Sequence, residues 1–166
     1  MFELRFISKE GIAKALEKAE RYRLLNEPWQ AESICLDVLR TDPENQEALV
    51  MLLLSLTDQF DKGLADGSKQ AREILPRLHS EYDRAYYAGI ISERQAKAQL
   101  DQGGRANGVI AYHWLREAMS YYEKAEAIRL PGNDDAIIRW NTCARILMRD
   151  PKLVREAEER VEQLME

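Results

Sequence analysis

The chain is expected to fold as an all-α protein of about four antiparallel helix pairs, and three observations carry that expectation. Its 166 residues include only five prolines and eight glycines. These cluster between long runs of Ala, Leu, Glu, Lys and Arg, the residues that lose least on entering a helix. Apolar residues recur at steps of three and four through most of those runs. Asp42-Pro43 and Asp150-Pro151 each set a capping acid before a proline, which a helix tolerates in its first turn.

Residues 9–26 form the first expected helix, with Ile12, Leu16, Ala19 and Tyr22 or Arg23 on one stripe, and Asn26-Glu27-Pro28 ends it. Trp29 to Leu39 forms the second, its inner side made by Ala31, Ile34, Cys35, Val38 and Leu39. Asp42 is expected to cap the third, with Pro43 in its first turn and Leu49, Leu52, Leu53 and Leu56 inward, running to about Phe60. Asp61-Lys62-Gly63 and Asp66-Gly67-Ser68 are expected turns. A fourth helix from about Ser68 should stop or kink at Pro76. The fifth, about Ser80 to Gln102, carries Ala85, Ala88, Gly89, Ser92 and Ala96 on a face that a neighbour could approach closely. Gly103 to Gly108 is the clearest expected loop, with three glycines and an asparagine. A sixth helix follows from about Val109 to Arg129, with Ala111, Leu115, Ala118, Met119, Tyr122 and Ala125 inward, closed by Leu130-Pro131-Gly132. Asn133 should cap a seventh, carrying Ile137, Trp140, Ala144 and Leu147, and Asp150-Pro151 opens an eighth.

The order Ala31, Cys35, Val38, then Asp42-Pro43-Glu44-Asn45, then Leu49, Leu52, Leu53 and Leu56 resembles the tetratricopeptide repeat, in which small and large residues four apart precede a proline in the connecting loop. Tyr22 also fits the pattern, while Ala15, Lys18 and Ala19 stand where the family has Trp, Leu and Gly. Ala118, Tyr122, Ala125 and Pro131 resemble the second-helix pattern again, and Ile137, Trp140, Asn141 and Ala144 follow at first-helix steps. The resemblance covers residues 10–60 and 110–150. Pro43 and Pro131 lie 88 residues apart, against roughly 68 for two 34-residue repeats, so about 20 residues are inserted between.

The resemblance implies one repeat domain over residues 1–166, a short right-handed superhelix with residues 152–166 as a capping helix. It further implies a non-enzymatic scaffold that binds a peptide or partner helix on a concave face lined by first helices. The contacts so implied are Leu16, Glu20 and Arg23 on the first helix and Glu47, Val50, Leu54 and Asp58 on the third. Tyr86 and Ile90 on the fifth helix and Ile138, Thr142 and Arg145 on the seventh complete the set. Members that grip acidic C-termini use Lys, Asn and Arg at such positions; Leu16, Glu20 and Met51 stand there in this chain, which argues against that ligand.

Composition and motifs bound the alternatives. A net charge of −5 and a pI near 5.3 weigh against nucleic acid as a partner, since phosphate recognition needs clustered Lys and Arg. The longest apolar run, residues 48–54, is far short of the roughly 20 residues of a membrane span. The first six residues include an acid and no long apolar core, unlike a secretory signal. Cys35 and Cys143 stand far apart without companions at ligand spacing and are expected to be buried thiols, which fits a reducing cytoplasm. His113 and Glu117, one helical turn apart, could serve a metal, but a third ligand is missing. His79 near a helix end can satisfy final carbonyls. The glycine loop at residues 103–108 lacks the Lys-Ser or Lys-Thr of a phosphate loop. No cofactor, metal or catalytic residue is therefore expected, and a small metal- or nucleotide-dependent enzyme is the least favoured reading.

Aromatic residues cluster late, at Tyr82, Tyr86, Tyr87, Tyr112, Trp114, Tyr121, Tyr122 and Trp140. They leave two possibilities open: helices packed on both faces, or one face turned to a groove. The alternative to a scaffold is a helical bundle that forms a homodimer or higher oligomer through Val154, Ala157, Val161 and Leu164.

Overall fold

The computed structural model describes residues 1–62 and 65–165, and the fold is all-α, with no strand among the described residues. The helices, numbered in chain order, are α1 (Ile12–Leu24), α2 (Pro28–Thr41), α3 (Gln46–Thr57) and α4 (Ala65–Ile74), then α5 (Glu81–Gln102), α6 (Arg105–Ala127), α7 (Asp135–Arg149) and α8 (Pro151–Met165). They fall into two compact units, Met1–His79 and Ser80–Glu166. No helix of the described residues is long and apolar enough to cross a membrane.

In the first unit α1 packs on α2 and α3, α2 on α3, and α3 on α4. A 3-10 turn, Lys9–Gly11, leads into α1 and is capped by Ser8. Asn26 takes the left-handed conformation (φ 60°), which asparagine tolerates better than most residues, and lets the chain double back into α2 with Pro28 in its first turn. Ala31, Cys35, Val38 and Leu39 of α2 and Leu49, Leu52, Leu53 and Leu56 of α3 are all buried, on the expected stripes. The cap of α3 is not Asp42. The helix α2 runs on to Thr41, and Pro43 disfavours helical geometry in the residue before it, so Asp42 ends α2 outside the helical region at φ −135° and ψ 85°. Asn45 caps α3 instead, accepting from the Ala48 N–H at 2.9 Å while its amide donates to Asp42. The expected turn at Asp66-Gly67-Ser68 is part of α4, and Phe60–Lys62 is a 3-10 turn; Gly63 lies outside the described residues. Pro76 does stop α4, in a further 3-10 turn, Leu75–Arg77.

In the second unit α6 is the central element, against which α5, α7 and α8 pack. The inner stripe of α6, Ala111, Leu115, Ala118, Met119, Tyr122 and Ala125, is buried throughout. Gly89 allows α5 to approach it closely, because a Cβ at that position would stand 2.5 Å from the Tyr122 ring. Ser80 caps α5. The expected loop over residues 103–108 shrinks to Gly103 and Gly104, whose positive φ angles complete the reversal. Asn107 and Gly108 belong to α6, the Asn107 amide donating to the Gly103 carbonyl at 2.8 Å. Asn133 takes up the Asp135 N–H as α7 begins. The buried line of α7 is Ala136, Cys143 and Leu147, with Trp140 half-buried, so the expected phase through Ile137 and Ala144 is one residue late. Asp150 caps α8 through the Leu153 N–H at 3.0 Å.

Candidate functional site

A carboxylate that the pattern of residues did not single out organises the second unit. Glu93 of α5 has no solvent exposure, a rare place for an acid unless it is paired. Its Oε2 accepts from the Tyr122 hydroxyl of α6 at 2.6 Å, and its Oε1 receives Lys97 at 2.8 Å and Arg139 of α7 at 3.5 Å. One buried group thus ties three helices. Burial alone would push the Glu93 carboxyl up; the hydrogen bonds from Lys97 and Tyr122 and the charges of Lys97 and Arg139 outweigh it and hold the group below the ordinary glutamate range. Burial and the adjacent Glu93 charge raise the Tyr122 hydroxyl far above the usual tyrosine value, so it stays a proton donor.

Tyr86 lies about two helical turns before Glu93 on α5 and joins the same cluster. Its ring stacks on Tyr82 at 5.7 Å, meets Tyr87 edge-on at 5.1 Å and leans on Tyr122 at 5.9 Å, separations favoured by aromatic quadrupoles. Burial raises the Tyr86 hydroxyl, opposed in part by a hydrogen bond with Arg139. Tyr86 and Arg139 remain half-buried, and Ile138, the residue before Arg139 on α7, is 59% exposed. Here the structure brings an aromatic ring of α5 and a guanidinium of α7 together at the edge of the core.

The twelve expected contact residues divide. Tyr86, Val50, Leu54 and Thr142 are half-buried, and Glu20, Glu47, Ile138 and Arg145 are exposed. Leu16 and Ile90 are core residues, which corrects their placement on a contact face. Leu16 sits four residues after Ile12 and three before Ala19, on the packing stripe itself. Ile90 falls in the run Ala88 to Glu93, every member of which is buried, so α5 has no open face at that level. Arg23 and Asp58 engage each other instead of facing solvent freely: Nε and Nη2 of Arg23 meet the two Asp58 oxygens at 2.7 and 3.3 Å. Thr142 turns its hydroxyl back to the Ile138 carbonyl. Leu16 and Glu47 both line a cleft of about 580 Å³ between the start of α1, the end of α2 and the start of α3.

The remaining candidates have plain surroundings. Cys35 and Cys143 are free thiols without solvent exposure, and burial pushes both up to about 12. Glu117 accepts from the Ser92 hydroxyl at 2.7 Å. His79 Nε2 meets Glu44 at 2.9 Å, while its backbone N–H donates to Gln46. Among the described residues no three of His, Cys, Asp and Glu stand close enough to hold a metal ion. Beside the Gly103-Gly104 turn, Arg105 pairs with Glu156 at 3.0 Å.

Glu93 carried a faint signal in its spacing: it stands four residues before Lys97 and in direct continuation of Gly89-Ile90-Ile91-Ser92. Nothing in the spacing of Arg139 foretold its reach to α5. Comparison with known proteins finds no family model, no curated protein and no solved structure that matches this chain.

Proposed function

We propose that this chain is a non-enzymatic, tetratricopeptide-like scaffold that binds an extended peptide or a helix of another protein in the cytoplasm. The observation that carries the reading is the half-buried pair Tyr86 and Arg139, anchored on the buried Glu93, with the exposed Ile138 next to Arg139 along α7. Tyr and Arg dominate the energetics of protein interfaces, and side chains already held in place lose little entropy when a partner arrives. Arg145 and Thr142 continue the same side of α7, and Glu20, Glu47, Val50 and Leu54 are the corresponding contacts of the first unit. The net charge of −5 favours a protein partner over a nucleic acid. The expected partner is captured from lysate of the source cells on the immobilised chain. Capture should be lost in an Ile138→Asp, Arg145→Glu variant whose melting temperature is unchanged; equal capture by that variant sinks the reading.

A second reading has one observation in its favour. Val161 and Leu164 continue the line of buried Leu153 and Ala157 on α8, yet are 39% and 84% exposed. Self-association through that stripe would be abolished by Leu164→Lys, as read by sedimentation.

A further inference from the structure

Residues 2–6, Phe2-Glu3-Leu4-Arg5-Phe6, alternate apolar and charged side chains with the period of a strand. They run without turn or bend into Ser8, itself extended at φ −76° and ψ 154°. Phe2, Leu4 and Phe6 are 103%, 73% and 71% exposed. Among the described residues, no backbone group of residues 2–6 makes a hydrogen bond, and Glu3 and Arg5 enter no ion pair. The root of this arm is nevertheless fixed. Arg40 of α2 lies 4.2 Å over the Phe6 ring, and the Thr41 hydroxyl donates to the Ile7 carbonyl at 3.1 Å. The arm therefore leaves a fixed root with its backbone groups unpaired and its apolar side chains exposed, free to take up strand pairing with a partner.

We propose that residues 2–6 pair with the same residues of a second copy of this chain, antiparallel and centred on Leu4. The pattern is self-complementary in that arrangement and in no neighbouring one. About a twofold axis at Leu4, Phe2 stands opposite Phe6, Leu4 opposite Leu4 and Glu3 opposite Arg5 at both ends of the ribbon, so all apolar side chains share one face and both ion pairs the other. Centring on Glu3 or on Arg5 sets like charges against each other, as does parallel in-register pairing. A shift by one residue turns charged side chains onto the apolar face. Charge complementarity thus selects both the partner and the register. Two strands this short make a weak, concentration-dependent dimer. The proposal is independent of the α5 and α7 surface.

Sedimentation equilibrium of the full chain over a range reaching about millimolar, where contacts this small become populated, should show reversible dimerisation. Glu3→Arg alone and Arg5→Glu alone should each weaken it about tenfold, since each sets like charges opposite at both ends. An equimolar mixture of the two single variants should recover the association, because one arm then carries only cations and the other only anions. The doubly reversed chain should recover it too. All these side chains are exposed, so melting temperatures should match that of the unaltered protein. A monomer at every concentration, a dimer indifferent to these reversals as association through α8 would be, or a mixture no stronger than its components overturns the proposal.

Discussion

The Tyr122 hydroxyl donates to Glu93 Oε2 across 2.6 Å, and neither residue has any solvent exposure. A buried carboxylate is tolerable only while its lone pairs are filled, so this contact bears on the stability of the whole second unit. Tyr122→Phe keeps the ring and removes the donor; it should cost about 1–3 kcal/mol in urea unfolding, the range for leaving a buried acceptor short of a partner. A loss below about 0.5 kcal/mol would show that Lys97 and Arg139 satisfy Glu93 without it.

The same carboxylate sets an acid limit. Its folded pKa lies below the ordinary glutamate range. Its contribution is therefore fully present above the unfolded pKa of about 4.3 and is lost as the pH falls from there through the folded value. Glu93→Gln should be less stable than the unaltered protein at pH 7 and should show a flatter loss between about pH 5 and pH 3. Parallel pH curves for the two proteins would contradict this.

Gly89→Ala tests the closeness of α5 and α6. Alanine is a better helix former than glycine by about 1 kcal/mol, yet its methyl would meet the Tyr122 ring well inside contact distance. Tyr122 is fixed by Glu93 and cannot retreat without breaking that bond. A net loss of about 1–3 kcal/mol is expected by thermal unfolding; a raised melting point would mean the ring yields.

A buried and an exposed position should respond differently. Leu53 has no exposure, and Leu53→Ala should cost about 2–5 kcal/mol. Arg145 is exposed, and Arg145→Ala should stay within about 0.5 kcal/mol of the unaltered protein. Tyr86 belongs with Leu53 in this respect despite its partial exposure, because its ring contacts three other tyrosines.

Cys35 and Cys143, buried and pushed up to about 12, should react with a thiol reagent at pH 8 only on unfolding. The thiolate is the reactive form, and it is scarce in both. Rapid labelling of the folded chain would show that one of the helices around them opens readily.

How much of this was legible in the sequence differs from helix to helix, for physical reasons. The stripe of α6 was visible because one face alone is buried and six small or apolar residues mark it. The whole length of α5 was also visible, from Ser80 to the glycines, but its contact face was not. Ala88 to Glu93 are buried on all sides, and a helix covered all round has no amphipathic phase to read. That is why Ile90 stood among the expected contacts. On α7 the phase slipped by one residue because Ile137 outweighs Ala136 in any apolar pattern, although the smaller residue is the one that packs inward. Glu93 escaped notice because its meaning depends on Tyr122 and Arg139, which lie 29 and 46 residues away.

The Gly103-Gly104 turn has a bearing on handedness. Its two residues adopt φ 70°, ψ 174° and φ 89°, ψ 157°, and nothing lies within 4 Å of a Cβ at either position. With all signs reversed, these are the angles of an ordinary extended residue. What bars a side chain there is the chirality of the amino acid and not any neighbour. A chain assembled by ligation with D-alanine at position 103 would place its methyl group without strain, and would enter the folded state with a less flexible turn than glycine provides. L-alanine at the same position would be forced into a region that side chains of its hand avoid. The reversal between the two longest helices thus rests on glycine serving as a mirror-image residue.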